Sequence, residues 1–455
     1  MGLLAAHIND AGISFLDANK VLYRESGFAL LDDDNLTTGS DAVAQARLKP
    51  RRIQNSYWSD LQTTALVDRH FEHLSAADLA SRQLEQIWKQ VAGPQDQVII
   101  AVPAYMRGEN LSLLLGIAAE INVPVIAMVD AAIAATRREY RGAVPVHVDL
   151  SLHSTVLTRI SQAGQAQVDR SAVVDESGVL ALYEAWIALI AETFVQQSRF
   201  DPLHTAETEQ MLQDNLQDWL AVASAKEMVA LQIEYRGIQH EAELESLELV
   251  AAAAPIYHRI VSNVRALYRA EEMPALQLSN RAARMPGLAD ILAARVGGET
   301  FLQEPGATAR GLLSRCRDMQ TDNSAVSLIR QLPWDQSPVE SRTADVARQE
   351  GQPTHLLFNN RAYSIDAQAL TLGSKADDGE RCIELRQDMP GVSRRHCSIQ
   401  QESGQCTVRD YSRYGTFLNG HRIDGSAVLQ VGDLIRLGTP GYELRLITTA
   451  SDDGS

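Results

Sequence analysis

Basic residues are scarce in this chain. Its 455 residues include 41 Lys and Arg against 58 Asp and Glu, a formal net charge of −17. The deficit sits in the first 350 residues, with 30 basic and 45 acidic, whereas residues 351–450 hold 11 of each. An acidic body excludes general affinity for nucleic acid or an anionic membrane, which both need the opposite sign. Cysteine is scarce too. Cys316, Cys382, Cys397 and Cys406 form no CxxC pair and no dense framework, so a disulfide scaffold is excluded and reduced thiols are expected. The last three fall in a β-rich region, where a small buried hydrophobe is the expected role. No apolar run approaches the ~20 residues of a membrane helix, so no membrane insertion is expected. Residues 1–7 are too short, and lack the basic start, of a signal peptide. The expected setting is cytoplasmic. What is present is an ordinary globular balance, 45% hydrophobic and 22% charged, at a length that implies two or more domains.

In chain order, residues 3–8 and 21–23 read as strands around a turn with Asn9-Asp10-Ala11-Gly12. An Asp and a Gly after a first strand can serve Mg²⁺ and phosphate, because glycine lets backbone N–H groups approach the oxygens; a plain turn is the alternative. Residues 38–46 are helical in composition, and 75–91 predict a helix with Ser75 as N-cap and Asp78 at the third position. Strand 97–102, helix 111–121, strand 124–129 and helix 131–139 follow with short connections, indicating α/β layers. Residues 146–150, 155–161 and 165–174 form an antiparallel meander. Residues 179–197, 205–226 and 241–270 carry apolar residues at helical spacing and predict core helices. Residues 317–353 read as a linker, with Leu328–Trp334 as a short apolar patch suited to docking. From Leu356 to Ile447 short alternating strands predict a β-sandwich, and residues 450–455 a disordered tail.

Within that sandwich, residues 391–420 hold two small loops, Ser393-Arg394-Arg395-His396 and Arg413-Tyr414-Gly415-Thr416, joined by a hairpin with its turn at Ser403-Gly404. With the later VGDLIRLG (residues 431–438), this stretch resembles the forkhead-associated (FHA) domain, whose end loops read phosphothreonine. That ligand carries nearly two negative charges and needs converging donors. The resemblance implies roles in binding for Ser393 and Arg394, and a bracing role for His396. Two family positions differ: Gly373-Ser374 lacks the arginine after the glycine, and Tyr414 replaces the asparagine before Gly-Thr. Lys375, Arg395 and Arg413 are the replacement cations. The expected phosphopeptide set is Ser393, Arg394, Lys375, Arg413, Tyr414 and Thr416. A sandwich that binds an unphosphorylated partner, or docks on the body, is the alternative.

Residues 99–140, beginning IIAVPAYMRGEN, resemble the ATPase domain of DnaK-type heat-shock chaperones, a member of the actin superfamily. The resemblance continues in order through Asp149-Leu150, residues 276–288 and residues 304–311, covering roughly residues 1–315. It implies an actin-like two-lobed α/β fold, Mg-ATP as cofactor, and Asp10, Gly12, Ser14 and Lys226 at the nucleotide. Asp10, Asp130 and Asp149 are its vestigial acids. Yet Ser151, Leu152 and His153 replace the glycines of the second phosphate loop, and Asn280-Arg281 replace the paired glycines of the adenosine loop. Side chains there obstruct the backbone approach that phosphate needs. No catalytic residue and no metal ligand is assigned.

The expected architecture is therefore multidomain: an actin-like ATPase fold (1–316), a linker (317–353), an all-β FHA-type sandwich (354–449) and a tail. The expected function is a non-enzymatic bacterial adaptor with a pseudo-ATPase body, recruiting a protein partner through the sandwich. The alternative is a nucleotide-gated switch or weak ATPase. A third idea is autoregulation by a phosphorylated linker threonine such as Thr343.

Overall fold

The computed structural model describes residues 2–32, 35–67, 71–319, 326–339, 352–358, 361–375, 381–385, 392–402, 404–419, 421–437 and 442–448. Thr343, Ser403 and the tail lie outside them. Packing divides the chain into two compact units. One comprises residues 1–264, 275–295 and 300–340, the other residues 265–274, 296–299 and 341–455.

The body, the first of these units, is built on two sheets that repeat one strand order. In the first, Leu3–His7 pairs antiparallel with Ile13–Leu16, which pairs with Val21–Glu25; Gln97–Val102 then lies parallel beside Leu3–His7, and Val125–Asp130 beside that. In the second, Val144–Leu150, Ser154–Ser161 and Ala166–Asp175 form the meander, with Pro274–Leu278 beside the first strand and Glu299–Leu302 beyond it. The parallel strands are continuous apolar runs because both faces are covered; Val98, Ile99, Ile100 and Ala101 are all fully buried. The helix Ala76–Val91 starts at Ser75 with a complete capping box, Ser75 Oγ accepting from Asp78 N–H and Asp78 accepting from Ser75 N–H, as its sequence predicts. Two helices are shorter than their composition suggests, Ser40–Val43 and Ala131–Ala135.

Three expectations need correction. Residues 241–270 are not one helix: Met228–Tyr235 and Ile238–Glu245 form a hairpin, and the helix begins only at Ser246. Its inward positions Val229, Leu231, Ile233, Ala242 and Leu244 are buried while alternate residues are exposed. Arg236 and Gly237 at the turn both have positive φ, 53° and 76°, the conformation that a two-residue hairpin requires. Second, residues 326–339 are not linker. Leu328–Ile329 pairs parallel with Met128 and Val129 of the first sheet, and Gln331–Leu332 pairs antiparallel with Ala166 and Gln167 of the second. The apolar patch thus docks as a strap along both sheets. Asp335 then accepts from Arg137 through both carboxylate oxygens, at 2.6–3.1 Å. Third, among the described residues one helix, Val179–Ser198, is long and apolar enough by length and composition to cross a membrane. Here its Leu182, Trp186, Ile190 and Phe194 are buried in the body, and Trp186 donates to the Leu249 carbonyl.

The second unit contains a sandwich of two sheets. One runs Arg361–Ser364, His355–Phe358, Tyr442–Ile447, Leu434–Leu437, Thr416–Leu418 and His421–Arg422; the other runs Cys382–Glu384, Leu370–Gly373, Cys397–Glu402, Gln405–Asp410 and Ser426–Val428. Inward residues of both, including Leu372, Ile399, Val408, Ile435 and Leu444, make the core. All four cysteines are free thiols; Cys397 and Cys406 are buried, and burial pushes the Cys406 thiol up to about 11.

Candidate functional site

At one end of the sandwich three loops converge. The strand Leu370–Gly373 delivers Ser374 and Lys375, whose amides donate to the carbonyls of Ser393 (3.0 Å) and Arg394 (3.3 Å). This approach requires glycine at 373, because a Cβ there would stand 1.8 Å from the Arg394 carbonyl oxygen. His396 braces the middle loop from below. It is fully buried, its Nδ1 accepting from Ser393 N–H (3.2 Å) and its Nε2 donating to the Gly415 carbonyl (3.2 Å). Burial lowers its pKa, which suits a neutral ring that accepts on one side and donates on the other.

The third loop is tied by Asp410. Its Oδ1 accepts from Ser412 N–H (2.9 Å) and Thr416 Oγ1 (2.8 Å), while Ser412 Oγ accepts from Gly415 N–H. Burial alone would raise the Asp410 pKa, but these hydrogen bonds outweigh it and the group is held low. Gly415 sits at φ 93°, which only glycine adopts freely. Arg413 N–H donates to Ser393 Oγ at 3.2 Å, fixing the serine oxygen.

The sequence-derived residues therefore separate. Ser393 is half-buried, and Lys375, Arg394, Arg413 and Tyr414, on the loops tied together here, are exposed. Thr416 is a correction: it is wholly buried and its hydroxyl is committed to Asp410, so it holds the loop from beneath and presents nothing to a ligand. Tyr411, which the sequence reading passed over, belongs here. The Arg395 guanidinium lies 4.5 Å from its ring centre, and the tyrosine hydroxyl contacts Ser398 Oγ. Arg413 lies 5.8 Å from the Tyr414 ring centre. Aromatic positions beside an arginine loop were the available signal.

In the body, Asp10, Gly12 and Asp149 come together where the two hairpin loops meet. Asn9 Nδ2 donates to Asp149 Oδ2 (2.7 Å) and to the Leu150 carbonyl (3.1 Å), and Leu152 N–H donates to Asp10 Oδ1 (2.8 Å). Arg281 Nη1 donates to the Leu150 carbonyl at 2.7 Å and stands 3.7 Å from Asp149 Oδ1. Its Nη2 would lie 2.4 Å from a Cβ at Gly12. Burial raises the Asp10 pKa. Burial would raise Asp149 too, but Arg281 and His7 outweigh it and hold that carboxyl low. Ser14 lines a cavity of about 60 Å³ with Gly12, Arg24, Arg281 and Thr308. Asp130 is elsewhere in function: it caps the helix Ala131–Ala135 and opens on a different cavity of about 230 Å³, with Arg107 and Arg330. Lys226 is exposed, its carbonyl accepting from Ser246 Oγ, and lines neither cavity.

Residues 371–438 match the family model of the FHA domain. No curated protein matches the chain. The FHA match covers the three loops described above and implies phosphothreonine-dependent protein–protein interaction.

Proposed function

We propose that this protein is a non-enzymatic adaptor whose sandwich captures a threonine-phosphorylated protein, while the body serves as a scaffold of the actin-like, heat-shock type. The observation that carries the first half is the seat at Ser393. Its oxygen is fixed by the Arg413 amide, and the loops bound together there carry three exposed cations, Lys375, Arg394 and Arg413. A dianionic phosphate needs several charge-assisted donors, and here they come from three separate loops. Lys375 and Arg413 take over the charge of the arginine that position 374 lacks. The second half is supported by the repeated strand order of the two body sheets and by the order of the matching sequence segments. On this reading the domains are 1–316, extended by the strap, and 354–449, in a bacterial cytoplasmic signalling or assembly system.

The test is capture of peptides from a degenerate phosphothreonine library by the full chain, beside the same library unphosphorylated. Retention of phosphorylated peptides alone is expected, with affinity falling at least tenfold in Arg394→Ala, about the 1.5–3 kcal/mol of a hydrogen bond to a charged group. Equal retention of both libraries would sink the phosphothreonine reading and leave an unmodified partner.

A further inference from the structure

The resemblance of the body implies Mg-ATP between two phosphate loops, and the residues present do not fit it. A phosphate cradle needs free backbone donors, and in this chain four of the loop amides are already spent. Gly12 N–H donates to the Asn9 carbonyl (2.8 Å) and Ala11 N–H to Asn9 Oδ1 (3.0 Å). On the opposite loop, Ser151 N–H donates to the Ser154 carbonyl (2.8 Å) and Leu152 N–H to Asp10. The Leu152 side chain is buried in a small cluster with Phe28, Leu30, Ala42 and Ala46, which anchors the loop in this position. The space that remains in front of Gly12 is about 60 Å³. That admits a few waters, whereas sites for molecules of nucleotide size run to ~300 Å³ and more.

We infer that Arg281 is an intrachain substitute for the missing ligand. Its guanidinium stands in front of Gly12, ties the Leu150 carbonyl and neutralises Asp149, the carboxylate that Asn9 of the first loop also binds, so the two loops are held together by the chain itself. The charge count agrees. Burial drives the neighbouring His7 down to about 4, so near neutrality that imidazole is uncharged and Arg281 supplies the balancing charge. A glycine at 281 would leave the Asp149 carboxylate buried and uncompensated, which folded proteins tolerate poorly. The lock is independent of the sandwich, and the adaptor reading can fail without it.

The experiment uses the full chain. Wild type is titrated calorimetrically with Mg-ATP and, separately, with inorganic phosphate to millimolar concentration, and melted with and without each. Arg281→Ala and Arg281→Lys are then compared by melting and by amide hydrogen exchange. The expected result is no heat and no melting shift in wild type. Arg281→Ala should melt about 5 °C lower, with exchange at residues 9–12 and 150–154 at least tenfold faster and the sandwich strands unchanged. Arg281→Lys should recover part of both effects. Saturable Mg-ATP binding by wild type, or an Arg281→Ala protein with wild-type melting and loop exchange, would overturn the inference. If Arg281→Ala does not fold, the wild-type titration and the lysine variant still decide it.

Discussion

The body and the sandwich hold similar raw material and point it in opposite directions. Both bring together glycine-bearing loops, arginines and a buried histidine, the materials from which a phosphate seat is made. In the sandwich, His396 and Asp410 consume the inner hydrogen bonds of the loops, and the cations Arg394, Arg413 and Lys375 are left facing out. In the body, two arginines turn inward. Arg281 serves the Leu150 carbonyl and Asp149, and Arg315, 1% exposed, donates to the carbonyls of Gly311, Ile133, Ala134, Thr136 and Pro333. The difference teaches that a loop's capacity for ligand is set by what its own chain has already claimed. Counting glycines and cations does not reveal it; counting satisfied donors does.

The sharpest way to break the comparison is at Arg315. Arg315→Leu should leave several buried carbonyls without donors and cost the body about 3 kcal/mol or more, read as a lower unfolding midpoint in denaturant. A loss within 0.5 kcal/mol would show that the inward arginines are incidental. A smaller effect is expected from Gly373→Ala. Its Cβ must displace the Arg394 carbonyl, so phosphopeptide affinity should fall about tenfold while the body's melting stays put, by titration of the full chain. Wild-type affinity in this variant would mean that the loop has slack that the 1.8 Å approach denies. The smallest effect is a pH dependence. His396 is buried with a lowered pKa, so the unfolded chain takes up a proton before the folded one does. Its stabilisation is complete above the ordinary histidine value near 6.5 and declines as pH falls below it, toward the lowered folded value. The sandwich melting transition should therefore drop as pH falls below about 6.5, and the drop should shrink in His396→Asn. A flat profile there would mean that the fold does not lower the pKa of the ring.

The sandwich was far more legible in the sequence than the body. Its strands alternate, its turns are short, and its two loops carry distinctive spacing, so the β-sandwich expected from Leu356 to Ile447 is the one observed. Thr416 was misplaced because Gly-Thr spacing says nothing about which way the hydroxyl points. In the body, the hairpin Met228–Tyr235 with Ile238–Glu245 was hidden by its outward residues, Glu234, Glu241, Glu243 and Glu245, which favour helices. The inward alternation and the Arg236-Gly237 turn were readable beneath them. The strap showed only as an apolar patch suited to docking; its pairing was hidden because strands of two residues carry no periodicity. The Arg281 contacts were beyond reach for another reason: they join residues 131 positions apart, and only the folded backbone sets that distance.

The strap has a practical consequence for where this chain can be cut. Residues 328–332 cover part of one outer strand in each body sheet, Val125–Asp130 and Ala166–Asp175. A body ending at residue 316, where composition suggests a boundary, would uncover unpaired backbone on both strands at once. Bare strand edges recruit other chains. A soluble fragment of the body therefore has to run through Val339, whose carbonyl still accepts from Arg141 N–H and whose amide donates to the Glu139 carbonyl.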